Sequence, residues 1–326
     1  MFSNILSIYS RYRRHLLYPL ISMLLSLSLV VGTAQIAQGV PWLELLLRGI
    51  QIIQLSNMSD QQEVQIGQQI NQQLVGKQFK LYRNREINRY VDQIGQRLAK
   101  RSERPNINYT FQVVDDGNIN AFATMGGFVY INTGLIAAAD NEAQLASVMA
   151  HEIGHIVGRH SIQQIKQAAI ARGLAEAAGV DSNTMVNLGV ELALRRPNSR
   201  QHEFQADELG IKNLKQAGYA PIGSVDFMKK LLKQRGFIPG FLSTHPSTAD
   251  RIDSLEQSID SNRAYVGDGL NNRAYKNKTR AVRNQKKAAL KRTTGRRGRV
   301  LRSAQLAQEP QACPIVFLLT SRTVRR

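Results

Sequence analysis

The chain has 326 residues, six histidines and one cysteine, and carries a formal net charge of +19. That length holds one large or two modest domains with an ample core, and the single Cys313 excludes an internal disulfide and any thiolate metal site. The charge is uneven: from Arg273 onward there are 16 lysines and arginines against one acid, while residues 1–272 carry a net of only +4.

At the N-terminus, Arg11, Arg13 and Arg14 precede an apolar run from Leu16 to Val31. Gly32-Thr33-Ala34 then places small residues at a cleavage site after Ala34. Residues 1–34 are expected to be a signal peptide or an uncleaved N-terminal anchor. Either exports the rest of the chain, because the arginines stay on the cytoplasmic side. The expected location is therefore extracytoplasmic or periplasmic, soluble or anchored by the N-terminus. Residues 35–57 are apolar and amphipathic, which suits a membrane surface or a helix packed on the body.

A domain is expected over residues 58–262. Ile66, Ile70 and Leu74 lie on one helical face, and Ile87, Val91, Ile94 and Leu98 repeat the pattern over Asn84–Lys100. Asn108–Val114 alternates as a strand and turns at Asp115-Asp116-Gly117-Asn118. Asn120-Ala121-Phe122-Ala123 then leads through Gly126-Gly127 to a strand at Phe128–Asn132. Such a strand beside a catalytic helix suits pairing with an extended peptide, and a plain hairpin with a glycine corner fits the same residues.

Leu145, Val148, Met149, Ile153 and Ile156 place His151-Glu152-Ile153-Gly154-His155 on a helix that Asn141 and Gln144 start as a capping box. Positions i and i+4 share a face, so both imidazoles aim at one point, suited to Zn²⁺, with Glu152 placed as general base on a metal-bound water. Helices follow over Ile162–Val180, Met185–Leu194, Arg200–Gln216, Ile222–Gln234 and Ser247–Ile259. A third ligand from H-E-x-x-H-x-x-G-x-x-H is ruled out: Gly158 fits, but position 161 is serine and His160 points about 100° away on a continuous helix, a structural or partly exposed residue. The alternative is Glu203 from a later helix, with Asp207 one turn on as hydrogen-bond acceptor for a ligand imidazole, and His202 as a competitor.

Taken together, His151-Glu152-x-x-His155, Glu203-Phe204-Gln205-Ala206-Asp207 and Thr244-His245-Pro246 with Asp250-Arg251-Ile252 resemble, in order, the zinc metallopeptidases of the HtpX, BepA and CAAX-prenyl-protease type. The resemblance implies an α+β, mostly helical zincin-like fold with a small antiparallel sheet flanking the metal helix. It implies one Zn²⁺ per chain on His151, His155 and Glu203, Glu152 as general base, Asp207 behind the ligands, and His245 blocking the site or steadying an oxyanion. Asn120, Ala121, Phe122, Ala123, Gly126 and Gly127 resemble the family's substrate-binding edge strand, although Met125 stands where relatives often carry proline. The implied activity is hydrolysis of unfolded or damaged polypeptides in envelope quality control. The alternative is a chaperone-like or autoinhibited zinc protein that binds clients without turnover.

Residues 263–326 are expected to be a disordered basic tail. Its charge suits an anionic membrane surface, although a merely solvated, dispensable extension fits better, and no specific nucleic-acid binding is expected because no aromatic interleaving or folded module accompanies it. The sequence does not fix the substrate or the oligomeric state.

Overall fold

The computed structural model describes residues 58–171, 182–195, 198–233, 240–246 and 249–288. The expected signal segment, the apolar segment up to residue 57 and the chain beyond residue 288 lie outside them. Contacts divide the chain into two units, and residues 59–161 and 186–326 form the one that carries the sheet and every residue discussed below as a site. The other unit, residues 1–58 and 162–185, contains most of one helix and the first residues of another among the described residues.

The larger unit opens with α1 (Asp60–Gln73), whose cap Ser59 and Gln62 form a reciprocal capping box. After a π-helical turn at Leu74–Gln78 comes α2 (Arg85–Ala99), capped by Asn84. The apolar face predicted for α2 is the buried one: Ile87, Val91, Ile94 and Leu98 are all in the core. Three short strands follow, β1 (Thr110–Val114), β2 (Ala121–Thr124) and β3 (Phe128–Asn132), in the spatial order β1-β3-β2.

The sheet is mixed rather than antiparallel. β2 and β3 form the expected antiparallel hairpin, with Ala121 opposite Ile131, but β1 runs parallel to β3, with Thr110 opposite Phe128. The loop after β1 carries the chain past the place that β3 fills, so β3 enters between its two predecessors. All five residues of β3 are buried, as befits a central strand.

The hairpin corner needs its glycines. Gly126 and Gly127 have φ of 78° and 94°, and a Cβ on Gly126 would lie 2.8 Å from the Glu63 carbonyl oxygen of α1. The close approach that these glycines allow is thus to the chain's own backbone. Glu63, buried, accepts from the Gly126 amide and from Arg104 Nη1 and Nη2 at 2.8–3.2 Å. Arg104 Nη1 also donates to the carbonyl of Ile156. One ion pair therefore ties the hairpin corner to α1 and to the end of the next long helix.

α3 (Thr133–Ala138) leads to α4 (Glu142–Val157), 14 of whose residues are buried. Its cap Asn141 accepts from the Gln144 amide, while the Gln144 side chain accepts from Asp140 rather than from the cap itself. α5 (His160–Ala171) and α6 (Ser182–Arg195) follow, separated by residues outside the description, then α7 (Arg200–Gln216) and α8 (Ile222–Leu232). α9 (Gly240–Thr244), α10 (Ala249–Gln257) and α11 (Asn272–Lys278) complete the order. Among the described residues no helix is long and apolar enough to cross a membrane.

The expected tail begins too early in the sequence reading. Residues 264–288 run over the body, with Tyr275 and Val282 both 1% exposed and residues 280–288 helical. Gly269 accepts from the Ala143 amide at the start of α4, Tyr275 Oη donates to the Ile136 carbonyl, and Arg283 donates to the Ala139 carbonyl. The basic composition hid this because a few buried side chains, Tyr275, Thr279 and Val282, suffice to dock a segment whose other faces are cationic.

Candidate metal centre

Two helices meet almost backbone to backbone to form the site. A Cβ on Gly154 of α4 would lie 2.6 Å from the Ala206 carbonyl oxygen of α7, and one on Gly210 would lie 3.1 Å from the backbone of His151. Gly154, Ala206 and Gly210 therefore let α7 press against the face of α4 that carries His151 and His155. Glu203 lies in the first turn of α7, behind its cap Ser199, whose hydroxyl accepts from the His202 amide.

His151, Glu152, His155, Glu203 and His245 are all buried. One donor atom from each of His151, His155, Glu203 and His245 lies within 4.8 Å of all the others, so these four residues are able to hold a metal ion. His151 Nε2 is 3.1 Å from His155 Nε2 and 3.3 Å from His245 Nδ1. Glu203 Oε1 is 3.3 Å from His155 Nε2 and 3.1 Å from His245 Nδ1. Among the described residues the buried oxygens of Glu152 and the Nε2 of His245 have no side-chain hydrogen-bond partner; the Ala123 backbone lies beside Glu152, and His245 Nε2 approaches Glu152 Oε1 to 3.4 Å. Lone pairs that converge in a buried space repel one another unless a cation sits among them, and imidazole with carboxylate suits zinc. The donor set fits the metal.

His151 is held from behind: its Nδ1 is 2.9 Å from Asp207 Oδ1. Arg251 grips the same carboxylate with two bonds of 2.7 Å, from Nε and Nη2. Its Nη1 donates to the Pro246 carbonyl and lies 2.7 Å from Glu203 Oε2. Arg251 thus joins the His245 loop to Glu203 and Asp207 of α7. His245 itself stacks on Phe241 at 4.6 Å, and the Phe241 amide donates to the Ile119 carbonyl just before β2.

The fields in this cluster oppose one another. Burial pulls the His151 imidazole down, yet Asp207 and Glu203 outweigh it and push its pKa up to about 10. Burial holds His155 well below the ordinary histidine value, so it is neutral. Burial raises the Glu152 carboxyl, and His245 and His151 offset this only partly. Burial also disfavours the charged forms of Glu203 and Asp207, but the surrounding histidines and Arg251 outweigh it and keep both below the usual carboxylate range.

Four of the predicted site positions, His151, His155, Glu203 and His245, converge here, with Glu152 and Asp207 beside them. Of the predicted substrate residues, Ala121, Phe122 and Ala123 lie on β2, an edge strand of the sheet, which packs against α4. Asn120 contacts the Thr244 hydroxyl, and Gly126 and Gly127 are buried against α1 and Asn108.

His160 was misread. The helix is not continuous there: Arg159 adopts φ 53°, and His160 starts a new helix with its ring folded back, Nδ1 2.7 Å from His155 Nδ1. Gly158-Arg159 was the available signal for that break. Sequence reasoning also gave no role to Arg251, although it lay within a quoted motif.

Residues 85–259 match the model of peptidase family M48. The chain is 33% identical to a putative beta-barrel assembly-enhancing protease of Vibrio cholerae over 53% of its own length and 39% of the relative's. It is 30% identical to the beta-barrel assembly-enhancing protease of Escherichia coli K12, over 60% and 44% of the two chains. It is 34% identical to the mitochondrial metalloendopeptidase OMA1 of Arabidopsis thaliana, over 49% and 33%. The chain thus aligns with less than half the length of each of these three relatives.

Proposed function

The chain belongs to peptidase family M48, and on that premise we propose that it is an exported, zinc-dependent endopeptidase acting on unfolded or damaged polypeptides. The observation that carries this is the convergence of His151, His155, Glu203 and His245 beside the buried carboxylate of Glu152. His151, His155 and Glu203 would hold the metal. When bound, zinc supplies Lewis acidity that polarises a carbonyl and makes a water nucleophilic near neutral pH.

Glu152 is the general base. Its carboxylate lies beside the cluster, with Oε1 3.4 Å from His245 Nε2 and the Ala123 backbone of β2 as a hydrogen-bond neighbour, and burial raises the carboxyl. A base with a raised pKa takes a proton from water and returns it to the leaving amine more readily than an exposed carboxylate does. β2 presents the edge on which an extended polypeptide would be held. His245 occupies the fourth donor place, in van der Waals contact with Phe241, and so caps the site at rest. That placement also supports the second reading, an autoinhibited zinc protein that binds clients and does not turn them over.

Export rests on the arginine-flanked apolar run of residues 11–31, and the names of the bacterial relatives support envelope polypeptides as substrates. Attraction to a membrane surface through the basic C-terminal residues belongs to the same proposal. The domain is proposed to begin at residue 58 and to extend beyond residue 262, since residues 264–288 dock on it.

The test is Glu152→Gln in the full chain, with casein cleavage and bound zinc measured together. Cleavage should fall by at least about 10²-fold while zinc is retained. Unchanged turnover would sink the mechanism, and zinc without turnover in the parent chain would favour the autoinhibited reading.

A further inference from the structure

A neutral metal-ligating imidazole carries its proton on the other nitrogen, which almost always donates to an acceptor that fixes the tautomer and the ring. His151 meets this through Asp207. For His155 the partner of Nδ1 is another imidazole, His160, with its Nδ1 at 2.7 Å. Two nitrogens at that distance share one proton, so one ring donates and the other accepts.

The far side of His160 decides which. Its Nε2 lies 3.0 Å from Gln205 Oε1, an acceptor, so His160 carries its proton on Nε2 and offers a lone pair at Nδ1. His155 must then donate from Nδ1, and its Nε2 is left as a lone pair facing His151 and Glu203. Asn198 Nδ2, a donor, lies 3.4 Å from that same Nε2, in agreement. A His160 with protons on both nitrogens would reverse the relay and put a proton on His155 Nε2, where the metal should bind.

The ring is fixed in this orientation. His160 is 1% exposed, His202 stacks on it at 4.3 Å with planes 7° apart, and a Cβ at Gly158 would fall 2.4 Å from its Nε2. The left-handed turn at Arg159 aims it.

We propose that His160 and Gln205 form a positioning relay that fixes the tautomer of His155 and presents its Nε2 to the metal. Gln205 accepts from His160, and His160 accepts from His155. The inference rests on the metallopeptidase reading and deepens it. The two ligand histidines differ in consequence: His151 is backed by a carboxylate and His155 by a neutral imidazole, a weaker acceptor that leaves the metal less electron-rich.

The experiment is zinc affinity of the full chain by competition with a chromophoric chelator, with thermal unfolding of each metal-free variant as control. His160→Leu removes the acceptor and should weaken zinc binding roughly 10–100-fold. His160→Asn keeps an oxygen acceptor at the Nδ1 position and should recover most of that loss. Gln205→Glu, an obligate acceptor, should bind at least as tightly as the parent, and Gln205→Met several-fold more weakly. The inference is overturned if His160→Leu binds like the parent, or if His160→Asn is as weak as His160→Leu while both metal-free forms unfold like the parent. If His160→Leu does not fold, equal affinities for Gln205→Glu and Gln205→Met overturn it. A parent chain that takes up no zinc overturns the metal reading itself, separately from the relay.

Discussion

His151 lies between two acids, Asp207 at its Nδ1 and Glu203 near its Nε2, and they keep the buried ring protonated up to about pH 10. A metal ion at Nε2 must displace that proton. The sign follows: below pH 10 the proton competes, so zinc affinity rises with pH and each ion bound releases protons. Near pH 7, uptake should release about one proton per zinc from His151, because His155 is already neutral and Glu203 already ionised. Calorimetry in buffers of different ionisation enthalpy measures this directly; a proton count near zero would contradict the field described. Glu152 and Glu203 are both buried carboxylates, yet one is pushed up and the other down. The difference is that Glu203 has three histidines and Arg251 within ion-pair distance, while for Glu152 burial outweighs His245, His151 and the Ala123 backbone, and the Glu203 charge adds to the rise.

Among the elements, the crossing of α4 and α7 matters most, because it sets the distance between ligands on different helices. In an open helix Gly→Ala would gain about 1 kcal/mol of helix propensity. At Gly154 the new Cβ meets a backbone carbonyl at 2.6 Å, which cannot swing aside as a side chain would. Overpacking of this kind costs about 1–3 kcal/mol, so the clash wins. Gly154→Ala is expected to lower the unfolding temperature and to weaken zinc binding together, by moving Glu203 away from His151 and His155. Loss of stability with unchanged zinc affinity would mean that the crossing does not set the site. The hydrophobic period located both helices in the sequence. Their separation was not legible, because a glycine in a helix reads as a weak helix former until the partner backbone is known to lie against it.

Across the whole molecule, the segment after residue 259 closes over the start of the metal helix. Tyr275 is buried and its hydroxyl bonds to the Ile136 carbonyl, while Gly269 takes the Ala143 amide at the first turn of α4. Tyr275→Ala should destabilise the chain by about 3 kcal/mol, and Tyr275→Phe, which loses only the hydrogen bond, by about 1 kcal/mol. Urea unfolding of the two variants measures both, and a Tyr275→Ala protein as stable as the parent would show that the segment is not part of the folded body. Composition argued for disorder here because net charge counts every lysine and arginine equally, including those that a docked helix leaves in solvent.

The sequence by itself determined the mostly helical fold, the helix bearing His151, Glu152 and His155, and the candidacy of Glu203, Asp207 and His245. The helices and the histidine pair follow from periodicity and i, i+4 spacing, and the role of His245 from the resemblance of its Thr-His-Pro segment to a known family. Tertiary structure alone decided what stands behind the ligands. His160 reaches His155 only because the chain turns left-handed at Arg159, and Arg251 reaches Asp207 and Glu203 only because α10 packs against α7. The parallel pairing of β1 with β3 and the docking of Tyr275 are of the same kind. Each depends on which surfaces meet across long stretches of chain, and local pattern carries no record of that.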